Sequence, residues 1–225
     1  ERTPAVVLRD YTSLTGRGAL PPLWSLGYHQ SRWSYMNQEK VLDVAQQFRQ
    51  RRIPADVLYL DIDHMDGFRV FTWNAKTFPA PKTMLDSLHQ QGFRAVTIVD
   101  PGIKLDPNFS IYQSGRAGGH LVRRPDGSDL DGEVWPGICA FPDFTSKAAR
   151  DWFGSLYRSA LALGVDGFWD DMNEPGGFPP DDFKGPEIPL GPHRTFPLDV
   201  RHDGDGRPGS HAQYHNVYGM QMARA

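Results

Sequence analysis

The run Asp166-Gly167-Phe168-Trp169-Asp170-Asp171-Met172-Asn173-Glu174-Pro175 sets a cluster of carboxylates directly behind a short apolar stretch. A buried strand that stops in acids is one way a protein presents a carboxylate nucleophile to a pocket. Asp and Asn also cap helices and turns, so this run alone carries two readings. Two further runs sharpen it, because Asp61-Ile62-Asp63-His64-Met65-Asp66 and Asp100-Pro101-Gly102 also follow apolar stretches. Strands lying side by side in parallel would bring all these acids to one mouth.

A ring of carboxylates suits two chemistries. Hard cations take six or more oxygen ligands, and Asp61, Asp63 and Asp66 alternate along their loop. That loop lacks the glycine and closing glutamate of an EF-hand register, so the metal match is weak. Sugars are the other partner: carboxylates grip ring hydroxyls, one of them attacks or shields an oxocarbenium-like centre, and aromatic faces cover the apolar side of the ring. Trp33, Tyr35, Phe71, Trp73, Trp135, Phe141, Phe168 and Trp169 lie in or near the loops and could supply those faces.

The elements that must position these residues show in the hydrophobic pattern. Residues 23–28 read as a first strand, and Val41, Leu42, Ala45 and Phe48 give 37–50 a helical apolar face. Residues 55–60 read as a second strand, followed by a helix over 82–91 with Met84, Leu85 and Leu88 on one side and Gly92 as its stop. Residues 94–99 give a third strand. A helix over 146–163 places Trp152, Phe153, Leu156, Tyr157, Ala160 and Leu161 at helical spacing before Gly164, and 165–169 give a fourth strand.

Short apolar runs alternating with amphipathic helices indicate parallel βαβ units. No glycine-rich phosphate turn follows any of these four strands and no G-x-x-x-x-G-K is present, which disfavours a nucleotide-binding doubly wound sheet. The expected fold is therefore α/β, a (β/α)8 TIM barrel of which this chain covers roughly the first four βα units. An eight-stranded barrel takes about 250 residues, whereas four strands already reach residue 170 here. Residues 214–225 look like the opening of a helix with Val217, Met220 and Met222 turned to a core. An unclosed half-barrel would expose strand edges, so 1–225 is read as a partial catalytic barrel completed by the rest of its own polypeptide. The segments after strands two, three and four are long and rich in Gly, Pro and aromatics, and barrel chemistry sits on such loops.

Composition narrows the partners. A formal charge of -3 in 225 residues, with no basic cluster, argues against nucleic acid. No stretch has the length of a membrane span, and residues 1–30 lack a signal-peptide core. The single cysteine, Cys139, excludes an internal disulfide and reads as a small buried residue. It fits a reducing compartment, so a cytoplasmic location is expected.

Trp169-Asp170-Asp171-Met172-Asn173-Glu174-Pro175 resembles the W-x-D-M-N-E-P signature of glycoside hydrolase family 31, the family of retaining α-glucosidases and related α-glycosidases. The runs Leu14-Thr15-Gly16-Arg17, Pro21 to Trp33, Asp61 to Asp66, Phe71-Thr72-Trp73, Asp100-Pro101-Gly102, Val134-Trp135-Pro136-Gly137, Phe141-Pro142-Asp143-Phe144 and His215-Asn216-Val217-Tyr218-Gly219 resemble other blocks of that family in order. The resemblance implies that Asp171 is the nucleophile and that Asp61 holds outer hydroxyls of the sugar. It places Asp100 in the same pocket, with Ile98, Trp135, Trp169 and Met172 as walls and Trp33 nearby. Arg32, Asp63 and Glu174 would support these residues. Strand alternation lets only one of Asp170 and Asp171 face the mouth, and the signature selects Asp171.

The acid/base of the family lies on a later strand and is matched by no residue here, Glu174 and Asp143 included. The implied activity is an exo-acting, retaining α-glucosidase that hydrolyses terminal α-linked glucose from α-glucosides and malto-oligosaccharides through a covalent glycosyl-aspartate. Other outcomes of the same resemblance are a transglycosylase or lyase, an α-glycosidase for xylose, galactose or sulfoquinovose, and a sugar-binding barrel without turnover.

Overall fold

The computed structural model describes residues 3–175 and 195–225. Its centre is a parallel sheet of four strands, β1 (His29–Gln30), β2 (Val57–Leu60), β3 (Arg94–Val99) and, after three further strands, β7 (Gly167–Asp170), in the order β1-β2-β3-β7. Helices α2 (Gln38–Gln50), α3 (Pro81–Gln90) and α5 (Lys147–Leu163) connect them. This strand and helix alternation is that of successive βαβ units, consistent with part of a (β/α)8 barrel.

The helix boundaries follow from their end residues. The Asn37 side chain accepts from the Lys40 amide at 2.8 Å and starts α2. Gly164, at φ 107°, closes α5 in the left-handed conformation that glycine adopts without strain. Val41, Ala45, Met84, Leu85 and Leu88 pack against Leu58, Leu60 and Ala95 on the outer face of the sheet. Burying each Leu there contributes roughly 2–3 kcal/mol. At the amino ends of the strands, Asp166 accepts from His89 Nε2 (2.7 Å), Arg94 (2.9 Å) and the Ala95 amide (2.9 Å), tying α3, β3 and the entry to β7 together.

The long connection from β3 to α5 carries the helix α4 (Ser110–Ala117) and a second, antiparallel sheet of β4 (Ile103–Lys104), β5 (Asp131–Val134) and β6 (Gly137–Ala140), ordered β4-β6-β5. A two-stranded ribbon of β8 (Arg201–His202) and β9 (Gly209–Ser210) follows, then the short helices α6 (His211–Tyr214) and α7 (Tyr218–Met222). A separate helix, α1 (Pro4–Thr15), precedes the barrel elements. Among the described residues no helix is long and apolar enough to cross a membrane.

Three expectations need correction. The apolar run at 23–28 is not the first strand: Leu23–Leu26 form a 3₁₀ turn with Leu23 85% exposed, and the strand is His29–Gln30. The Tyr28 carbonyl accepts from the Asp56 and Val57 amides at 2.9 and 3.3 Å, so pairing with β2 begins only where the apolar run ends. Met220 is 56% exposed, because the helical stretch breaks at His215–Val217 and turns Tyr218 and Met222 inward instead. Of the aromatic residues expected as sugar platforms, Tyr35 and Phe141 are buried in the core, and Phe71, Trp73 and Phe168 pack against it.

Candidate active site

The register of three strands builds the site. Leu60 pairs with Thr97, Ile98 with Trp169, and Val99 with Asp170. Alternation sends Leu58, Leu60, Ala95 and Phe168 toward the helices. Tyr59 and Asp61, Ile98 and Asp100, and Trp169 and Asp171 therefore share the opposite, inner face. The Asp171 amide donates to the Val99 carbonyl at 3.2 Å, which extends the register by one residue and sets Asp171 beside Asp100 on the neighbouring strand.

Asp170 points the other way. It accepts from the Tyr157 hydroxyl of α5 at 3.0 Å, and burial raises its pKa while that hydrogen bond lowers it. Asp171 instead lines an open cavity of about 190 Å³ together with Asp61. Trp33, Trp135 and Trp169 form its aromatic walls, and Ile62, Ile98 and Met172 complete it. Met172 holds a left-handed backbone at φ 55°, which turns the chain sharply after Asp171.

The electrostatics are those of crowded acids. Asp61 caps its own turn by accepting from the Ile62 amide at 2.8 Å, and burial, then the charges of Asp63 and Asp171, raise its pKa. Asp100, beside Asp171 on the inner face, is 5% exposed, and its Oδ1 is buried without a hydrogen-bond partner among the described residues. Burial first, then Asp171, Asp61 and Glu174, push its pKa up to about 7. A carboxyl so placed is half protonated at neutral pH and can donate as well as accept.

The supporting residues divide. Asp63 accepts from the Trp33 indole at 3.1 Å, fixing a ring that is otherwise 66% exposed and stands 5.4 Å from the Trp135 ring. That hydrogen bond commits Asp63 to an aromatic wall, and among the described residues no group of three or more His, Cys, Asp or Glu is arranged to hold a metal. Arg32 is exposed and forms no hydrogen bond or ion pair among the described residues, so it supports none of the other site residues here. Glu174 is exposed too, and its charge helps to raise the Asp100 pKa. Asp143 lies elsewhere, buried against His202 Nδ1 at 2.8 Å.

A family model described as "Glycosyl hydrolases family 31 TIM-barrel domain" matches residues 18–225. The chain belongs to glycoside hydrolase family 31. It is 46% identical to alpha-glucosidase 2 of Bacillus thermoamyloliquefaciens over 223 residues, covering 99% of this chain and 27% of that protein. It is 43% identical to human neutral alpha-glucosidase AB over 225 residues, covering 97% of this chain and 22% of the relative. Among solved structures, the glucosidase II alpha subunit bound to alpha3-Glc2 superposes with a TM-score of 0.88 at 34% identity, over 99% of this chain and 23% of that one. The chain thus spans about a quarter of the length of the relatives it matches.

Two features of this family 31 barrel are not read from the sequence. Ile62 lines the cavity although it sits between two acids, where the acids draw all the attention. Behind Trp169, Tyr59 meets its ring edge-on at 6.1 Å and hydrogen-bonds His29 Nδ1 at 3.1 Å, a polar support for the pocket floor. The period-two inward position of Tyr59, two residues before Asp61, is the signal that could have found it.

Proposed function

We propose that this chain is the nucleophile-bearing half of a retaining, exo-acting α-glucosidase barrel, with Asp171 as the nucleophile. The observation that carries the reading is the convergence of Asp61 and Asp171 on a tryptophan-lined cavity, with Asp100 buried beside them. One face of that cavity offers charge for hydroxyls and a developing positive centre, and the others offer aromatic area for a pyranose. In the first step Asp171 attacks the anomeric carbon of a terminal α-linked glucose. The bond to the leaving oxygen breaks as that oxygen takes a proton, giving a β-glycosyl-aspartate. Water then attacks the same carbon, loses a proton to the acid/base and releases α-glucose.

The acid/base stands about 5–5.5 Å from a retaining nucleophile. No carboxyl of this chain matches the acid/base of the family, Glu174 and Asp143 included; Asp61 caps its turn, Asp100 is buried, Asp170 faces α5 and Asp143 is bound to His202. The acid/base is therefore assigned to the strands that complete the barrel in the same polypeptide, and residues 1–225 by themselves are expected to turn over nothing. The substrate class is a small α-glucoside or malto-oligosaccharide, and none of the steps uses a metal or cofactor. Proton NMR of the first glucose released from an α-glucoside by the longest polypeptide carrying this chain tests the mechanism. Initial α-glucose is the expected product; initial β-glucose overturns double displacement.

A further inference from the structure

Trp135 reaches the cavity from an exposed kind of support. It sits with Pro136 in a two-residue turn between β5 and β6, where Val134 pairs with Gly137. Such tips fray easily, because only the last ladder bonds hold them. Here the tip is held from the side: Lys104 Nζ donates to the Pro136 carbonyl at 2.7 Å. Lys104 forms no ion pair among the described residues, and its ammonium commits a hydrogen bond to that carbonyl. A cation-to-carbonyl hydrogen bond is among the stronger kinds.

The backbone of Lys104 is itself fixed. It pairs with Cys139 across β4 and β6, and the Leu105 amide donates to the Ile138 carbonyl at 3.0 Å. Two residues earlier, Gly102 forms the seat of the hairpin: a Cβ there would lie 2.5 Å from Val134 Cγ2. Alternate residues of one segment thus supply the buried carboxylate Asp100, the seat at Gly102 and the clamp at Lys104.

We propose that Lys104 is a positioning residue of the sugar site, holding the turn that carries Trp135 and so fixing one aromatic wall of the cavity. This rests on the reading of that cavity as a glycoside site. In the longest polypeptide carrying this chain, Lys104→Met keeps the aliphatic stem and removes the donor. KM for maltose should rise about tenfold with kcat within about twofold, the size expected for losing one charged hydrogen bond. Lys104→Arg should recover most of the loss. In a Trp135→Ala background, Lys104→Met should add no further increase. An unchanged KM in Lys104→Met, or additive effects in the double variant, overturns the proposal. If Lys104→Met loses its helical circular dichroism, Lys104→Gln, uncharged and one atom shorter, carries the same cycle. Amide exchange of residues 134–138 in the sugar-free protein gives an answer independent of substrate: faster exchange in the variant supports the clamp, and equal exchange overturns it. A wild-type protein that cleaves no α-glucoside, together with faster exchange in the variant, defeats the glycosidase reading alone.

Discussion

Replacing Asp100 by Asn removes the most strongly displaced carboxylate of the site, and its surroundings set how stability must respond. Burial, followed by the charges of Asp171, Asp61 and Glu174, raises Asp100 from 3.8 to about 7. A carboxyl with a folded pKa above its unfolded value holds its proton more tightly in the native state. Its stabilising contribution is fully present below the unfolded pKa and is lost as pH rises through 7. The difference of about 3 pKa units, at about 1.4 kcal/mol each, gives a ceiling of about 4 kcal/mol. Asn carries no charge at any of these pH values. Urea unfolding of this chain, followed by circular dichroism from pH 4 to pH 8, should show Asp100→Asn within about 1 kcal/mol of wild type at pH 4 and progressively more stable above it. The gain should approach about 4 kcal/mol at pH 8. Parallel pH profiles for the two proteins would refute the placement of Asp100 in a desolvated position beside Asp171. Stability gained this way would come with lost sugar affinity in the longest polypeptide, the trade expected where a functional site holds like charges together.

Three further perturbations test other parts of the structure. His211 is fully buried between His202 Nε2 (3.0 Å) and the Thr195 hydroxyl (2.9 Å), and burial, then His202 and His215, lower its pKa to about 4. Its contribution is intact above pH 6.5 and lost as pH falls through 4, so a His211→Gln variant should flatten acid unfolding over that window by up to about 3 kcal/mol, whatever its stability at pH 7. Asp63→Ala removes the acceptor of the Trp33 indole; KM for maltose should rise about tenfold, the low end for one hydrogen bond to a charged group, while Asp171 keeps its reactivity. At Gly219 an added Cβ would lie 2.8 Å from the Asn173 carbonyl, so Gly219→Ala should shift the chain behind Asp171 and lower kcat by about tenfold or more; an unchanged kcat would show that the contact is slack.

What the sequence discloses and what it hides follow from the physics of each element. The helices α2, α3 and α5 are legible because their apolar residues recur at helical spacing and because Asn37, Gly92 and Gly164 mark their ends. The strand β3 is legible because nearly every residue in it is buried. The strand β1 is not, since its inward residue is His29, bonded to Tyr59, while the neighbouring apolar Leu23 and Leu26 lie exposed. The helix α1 carries Val7, Leu8, Tyr11 and Leu14 at helical spacing behind a Thr3 cap and Pro4, a readable signal that the larger pattern overshadows. The sheet β4-β6-β5 has strands of two to four residues whose pairing depends on distant register, which no local pattern encodes. At the site, the acids and tryptophans show in the sequence, but the burial of Asp100, the outward turn of Asp170 and the use of Asp63 as a Trp33 acceptor need three dimensions.

Central to the proposed chemistry is that Asp171, and not its neighbour Asp170, attacks the sugar. Incubating the longest polypeptide carrying this chain with 5-fluoro-α-glucosyl fluoride and sequencing the labelled peptide by mass spectrometry asks that question directly. A glycosyl adduct on Asp171 is the predicted result, abolished in Asp171→Asn and retained in Asp170→Asn. An adduct on Asp170, or one that survives in Asp171→Asn, would contradict it.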